Sequence, residues 1–331
     1  MKAANYAVEH FEVDGVAVVQ LTDAACRAET AIAVSVGNLV YRYRVGGEDI
    51  VWFPYASPAE MKTKRSLCGI PFLAPWANRL DGDAYWANGK RYQLNSTLGN
   101  LRRDAHQLPI HGLLNFSPRW EPAGSGADEQ SAWTASRLDF ARYPDLLAQF
   151  PFAHTLTMTH RLSGGELQVE TAIENRSGEP LPVAVGYHPY FRLPGVPREE
   201  WRVHLAARDH LVLGDMVIPT GEKRPVEFAD PYPLRGAALD DVFGDLIRDS
   251  DGRARFWVEG NGRRVTVTYG PKYLIAVAYA PADKDFLCFE PMAAVTNAFN
   301  LAHDGICELQ SVAPGQTWTE SFWLSYTAAQ Q

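Results

Sequence analysis

Long runs of this sequence alternate apolar and polar residues with a period of two, and that pattern limits what the chain can fold into more than any other feature. Successive side chains of a strand point to opposite faces, so strict alternation marks a strand with one face in a core. The run His154 to Leu162 is followed by Gly164-Gly165 and by Glu166 to Glu174, where Leu167, Val169, Thr171 and Ile173 share a face. Two such runs around a glycine turn predict a β-hairpin. Beyond the turn-rich Asn175 to Pro180, Leu181 to Tyr187 is expected to add a third strand, giving an antiparallel meander. A second hairpin is predicted from Ala254 to Glu259, the turn Gly260-Asn261-Gly262 and Arg263 to Tyr269, with Tyr273 to Tyr279 returning beside it. Trp318 to Tyr326 alternates as well, as do Val16 to Leu21 and Leu39 to Arg44.

Helical signals are poor, the best being Pro144 to Gln149, about a turn and a half. Without helices to cover both faces of a parallel sheet, the workable fold class is all-β, a large antiparallel sandwich. Residues 1–331 are read as one such domain, because all-β units commonly exceed the usual domain length. The segment Pro122 to Ser131, rich in Gly, Ser and acidic residues, reads as a surface loop between strands.

A formal charge of −8 argues against nucleic acid or anionic lipid as partner, since such binding needs clustered Lys and Arg. No apolar run is long enough for a membrane span, and Met1 to Gly15 lacks the apolar core of a secretory signal, so a cytoplasmic location is expected. Cys26, Cys68, Cys288 and Cys307 are far apart and form no Cys-x-x-Cys pair, so buried free thiols are expected. The histidines supply no ligand spacing for a metal, and no glycine-rich phosphate loop is present, so no cofactor is expected.

Five segments set polar residues among Gly, Pro and aromatics. In Gly69 to Leu80 two prolines break any strand and deliver Asn78 and Arg79 at the end of an apolar run. Arg79 could serve sugar hydroxyls or a surface ion pair. His111, before Gly112, could be a core histidine or a ligand-binding one. Pro189 removes a ladder donor after His188, so the strand is expected to break there and expose the imidazole. Glu290 closes the apolar strand Phe286 to Phe289, where a carboxylate is either a cost or a functional group. Asp240 or Asp241 could accept from a sugar or cap a turn.

In order and spacing these segments resemble the aldose 1-epimerase family, the galactose mutarotases. The fragments are Pro75-Trp76-Ala77-Asn78-Arg79-Leu80, His111-Gly112, His188-Pro189-Tyr190-Phe191, Asp240 three residues before Phe243, and Glu290-Pro291-Met292 leading to Thr296-Asn297-Ala298-Phe299. The likeness runs from about Cys68 onward. It implies a mutarotase-type sandwich, a small sugar as partner, Glu290 as general base and His188 as general acid. His111, Arg79, Asp240 and Asn78 would bind substrate. The chain departs from many galactose-acting members at Leu113, Tyr187 and Arg192. A related branch acts on hexose 6-phosphates through basic residues, for which Lys62, Lys64, Arg65, Arg102 and Arg103 are available, although solvation alone explains such charges. A non-catalytic sugar-binding protein would need no His188–Glu290 proton pair, and a glycosidase would need two flanking carboxyls.

Overall fold

Both predicted hairpins form. In the computed structural model, which describes residues 5–328, His154–Ser163 pairs with Glu166–Asn175, and Ala254–Gly260 with Arg263–Tyr269. They belong to one nine-stranded antiparallel sheet, joined through Thr317–Ala328, which lies centrally between Glu166–Asn175 and Arg263–Tyr269. An eight-stranded sheet, which includes Leu239–Leu246, Ile275–Ala280 and Leu287–Met292, faces it. Phe256 and Phe322 of the first sheet meet Phe289 and Tyr187 of the second, with ring centroids 5.7 and 4.7 Å apart. The layers are thus those of a large antiparallel sandwich, with the core between two apolar faces.

A five-stranded sheet built from Tyr6–Val13, Val16–Asp23, Ala28–Ala33, Leu39–Val45 and Glu48–Asp49 precedes these two. Among the described residues the α-helices are three short ones, Pro58–Lys64, Pro144–Gln149 and Ala298–His303. None is long and apolar enough to cross a membrane. All four cysteines are free, Cys68 and Cys288 buried but Cys26 and Cys307 only half-buried. Residues 1–4 of the opening stretch lie outside the described residues.

Three expectations are corrected. Leu181 to Tyr187 is not a third meander strand: Leu181–Val183 pairs with Gln310–Val312, and Gly186–Tyr187 crosses into the eight-stranded sheet. The strand after the second hairpin, Ile275–Ala280, also lies in the opposite sheet, between Leu239–Leu246 and Leu287–Met292. Its burial on both faces suits that central position. Finally, Glu121–Ala127 is a strand, not a loop. Among the described residues it pairs only with Ala132–Asp139, at the sheet edge, and its Gly124 and Gly126 give room to the Trp133 ring.

Candidate active site

Register builds the floor of the site. Beside Leu287–Met292, Gly186 pairs with Met292 and Tyr190 with Cys288, which sets His188 across from Glu290. Tyr279 pairs with Cys288 from the other side, and Asp240 pairs with Tyr279. Opposed residues and residues two apart share a face. His188, Tyr190, Glu290, Tyr279 and Asp240 therefore stand on one side of the sheet, while Tyr187 and Phe289 turn into the core.

Two irregular loops form the walls. Asn78, His111 and Gly112 all have left-handed backbone conformations, with φ of 56°, 62° and 67°. A Cβ on Gly112 would lie 2.1 Å from the Ala74 carbonyl oxygen, so this close approach requires glycine. The loops clamp one another: His111 N–H donates to the Asn78 carbonyl at 2.9 Å, and Leu80 N–H to the Pro109 carbonyl at 2.9 Å. From behind, Asn297 N–H donates to the Arg79 carbonyl at 2.9 Å, and its Oδ1 accepts from Asp81 N–H at 3.0 Å. Asn297 thus supports the loop without lining the cleft.

The cleft holds about 260 Å³ and is lined by all six residues expected from sequence, Asn78, Arg79, His111, His188, Asp240 and Glu290. His188 Nε2 is 3.2 Å from Glu290 Oε1. The His188 ring stacks on Tyr190 at 4.4 Å and meets His111 edge-on at 5.5 Å. Arg79 donates from Nε to Asp104 Oδ2 at 2.6 Å and from Nη1 to Asn78 Oδ1 at 3.0 Å. Asp104 Oδ1 in turn accepts from the backbone of His106 and Leu108, both at 2.9 Å. The expected exposure of His188 is not found. Its surface is 7% accessible because Tyr190, Tyr279 and His111 enclose the ring, which sits on the cleft floor.

Burial dominates the electrostatics. It pushes His188 down to about 3, assisted by the nearby Arg102 charge and opposed by its own backbone contact. Burial also raises Glu290 well above the usual carboxylate range; Asp240 adds to this and Arg79 opposes it. His111 is held well below its ordinary value by burial, then by His188, Arg102 and Arg79. Asp240 stands exposed at the rim, where protein packed on one side raises its carboxyl against the pull of Arg79. Nδ1 of His111, Nδ1 of His188 and Oε2 of Glu290 are buried without hydrogen-bond partners. Unpaired buried polar atoms are costly, and these three belong to residues that line the cleft.

Sequence reading missed Tyr279 and Asp104. Tyr279 was hidden because its strand was assigned beside the wrong neighbour, whereas Asp104 follows Arg102 and Arg103 and reads as one more surface charge. The three departures from galactose-acting members do not line this cleft: Tyr187 enters the core, Leu113 faces an adjoining cleft, and Arg192 lies near Asp285. Lys62 and Lys64 are exposed and Arg65 borders the adjoining cleft, while Arg102 and Arg103 line the sugar-sized one.

The sequence profile of aldose 1-epimerases matches residues 18–325. This chain belongs to the aldose 1-epimerase family. Within the sequence relatives, the uncharacterized protein YphB of Escherichia coli K12 is 27% identical over 263 residues, 76% of this chain and 81% of its own length. A galactose mutarotase-like protein of Clostridium acetobutylicum has the same fold, with a TM-score of 0.87 at 20% identity over 98% of this chain and 99% of that one. The galactose 1-epimerase of Lactobacillus acidophilus NCFM superposes with a TM-score of 0.77 at 14% identity, over 99% and 100% of the two chains. The profile match shows the family, and the two structural likenesses show the β-sandwich.

Proposed function

We propose that the protein is a mutarotase that interconverts the α and β anomers of an aldose, with Glu290 as general base and His188 as general acid. The observation that carries this reading is the 3.2 Å contact between His188 Nε2 and Glu290 Oε1 on the floor of a sugar-sized cleft. Anomer exchange acts on two oxygens attached to one carbon, the C1 hydroxyl and the ring oxygen. A base and an acid that touch each other suit that separation.

In the forward step Glu290 takes the proton of the C1 hydroxyl, the C1–ring oxygen bond breaks, and His188 gives its proton to the ring oxygen. The products are an open-chain aldehyde, neutral His188 and protonated Glu290. After rotation about C1–C2, the C5 hydroxyl attacks the other carbonyl face, His188 recovers its proton and Glu290 returns its own. Net protons balance, and no redox partner is consumed.

Burial, which raises Glu290 and lowers His188, favours a proton shared by the pair on the carboxyl over the imidazole. The working form has the same proton on the imidazole. Sugar hydroxyls placed against Arg79, Asp240, Asn78 and His111 would supply the hydrogen bonds that favour it. One domain is proposed to carry the whole site, supported by the continuous apolar cluster between the large sheets.

Polarimetry of freshly dissolved α-glucose, α-galactose and other aldoses tests the reading. Faster decay with protein, abolished by Glu290→Gln, is expected. Rates equal to the uncatalysed ones across neutral and charged aldoses would defeat it.

A further inference from the structure

One aromatic ring lies flat on the imidazole that carries the proton. Tyr190 and His188 stack with centroids 4.4 Å apart and planes 8° apart, and the phenolic oxygen is 3.5 Å from Nε2. Nearly parallel rings pack no closer than about 3.5 Å, so this contact runs along the ring normal and sets Nε2 over the phenolic oxygen. A phenol hydrogen lies in the plane of its own ring and cannot point along that normal. Tyr190 therefore meets Nε2 with electron density, from its oxygen and its ring face, and not with a donated hydrogen. That is the side a cation prefers, and the stack is well within the reach of about 6 Å over which a ring face attracts one.

Backbone and neighbouring rings hold Tyr190 in place. Its N–H donates to the Gly69 carbonyl at 2.8 Å, and its own carbonyl accepts from Trp52 N–H at 2.9 Å. The Phe286 ring meets Tyr190 edge-on at 5.1 Å, and the Trp52 ring leans on both, 5.9 Å from Tyr190 and 4.5 Å from Phe286. Trp52 is itself fixed by its indole N–H, which donates to Asp285 Oδ1 at 3.0 Å. On this support the phenol ring has little freedom to turn away from the imidazole.

The other groups around His188 divide by sign. Glu290 touches Nε2 and Asp240 lines the same cleft, so both carboxyls favour a charged imidazole when ionised, whereas Arg79 and Arg102 line the cleft and oppose it. His111 and Tyr279 stand nearly perpendicular to the imidazole, at 5.5 and 5.9 Å, so Tyr190 is the ring that lies parallel to it.

We propose that Tyr190 is a positioning residue of the anomer exchange: its ring, stacked on His188, stabilises the imidazolium and so helps move the shared proton from Glu290 to the acid that protonates the ring oxygen. The inference rests on the mutarotase reading, which makes the imidazolium the working form. It also gives Trp52, which precedes the segments shared with the family, a part in the reaction, because Trp52 holds the stack.

The test starts from Tyr190→Phe, so that the hydroxyl drops out, and compares it with variants in which the phenylalanine at this position carries one, two or three ring fluorines. Fluorine drains the negative ring face and nearly keeps the ring's shape, so packing is held while the attraction for a cation falls. With the aldose that wild type accelerates most, kcat from exchange NMR is expected to fall with each fluorine, by roughly 5- to 30-fold in total, while KM stays nearly constant. A ring that only packs would leave kcat level along the series. Equal kcat in the folded variants, or a fall carried by KM, overturns the proposal. A second readout needs no turnover: the pH at which the nitrogen NMR signals of His188 report a charged ring should fall in the same order. If wild type accelerates no aldose, the mutarotase reading is lost and this midpoint decides alone. A midpoint that falls along the series keeps Tyr190 as the group that favours the charged imidazole, and a constant midpoint removes that role as well.

Discussion

Replacing Glu290 by Gln separates proton chemistry from packing. Glu290 is 2% exposed, and Gln has the same volume and can donate its amide N–H to His188 Nε2 across the 3.2 Å contact. The fold should therefore persist. Loss of a general base typically costs about 10²- to 10⁴-fold, or roughly 2.7–5.4 kcal/mol of transition-state stabilisation. Stability supplies a second readout. In the unfolded chain this carboxyl titrates near its ordinary 4.5, whereas in the folded protein it is raised well above that value. At this carboxyl, between pH 4.5 and its raised value, the folded state therefore binds up to one proton more than the unfolded state. Its stabilising contribution is complete below that pH and declines as pH rises toward the folded value. Gln has no such proton, so the variant should gain on wild type by about 1.36 kcal/mol per pH unit from about pH 4.5 upward. Urea unfolding of both proteins from about pH 4 to 8, with polarimetry or exchange NMR at each pH, measures both effects. Parallel stability curves would refute the protonated carboxyl, and turnover within threefold of wild type would refute its role as base.

His188→Asn should lower kcat by roughly 10²- to 10⁴-fold with little change in melting temperature, since the ring-oxygen proton loses its donor; stopped-flow polarimetry checks this. Asp104→Asn keeps an acceptor for the His106 and Leu108 amides but weakens the Arg79 pair, so KM should rise about tenfold with kcat nearly constant, and stability should fall by about 1–3 kcal/mol. Gly112→Ala meets both a φ of +67° and the Ala74 carbonyl, and denaturant melts should show a loss above about 2 kcal/mol together with a displaced His111.

Local pattern was legible where turn and alternation agree. Gly164-Gly165 and Gly260-Asn261-Gly262 each join two alternating runs, and both hairpins follow with nearly the expected bounds. Partner choice was not legible, because alternation says which residues face a core but not which strand lies alongside. Ile275–Ala280 and Gly186–Tyr187 consequently appear in the sheet opposite the hairpins they follow. Glu121–Ala127 was hidden by composition: its glycines and serine have low strand propensity, and the edge position with Trp133 packed across it makes up the difference. The six expected residues of the cleft were visible because Pro, Gly and aromatic neighbours set them apart. Asp104 and Tyr279 were not, since one works by holding Arg79 and the other depends on a register that spans two strands.

The central place of Thr317–Ala328 in the nine-stranded sheet bears on how the protein is made. Until those residues leave the ribosome, Glu166–Asn175 and Arg263–Tyr269 each present an unpaired edge backed by a finished hairpin. The nascent chain thus carries two half-sheets able to zip onto a neighbouring copy, the hazard that chaperones guard against during translation. Trimming residues 317–328 would leave that hazard permanent, because it removes the strand between the halves and not a dispensable tail.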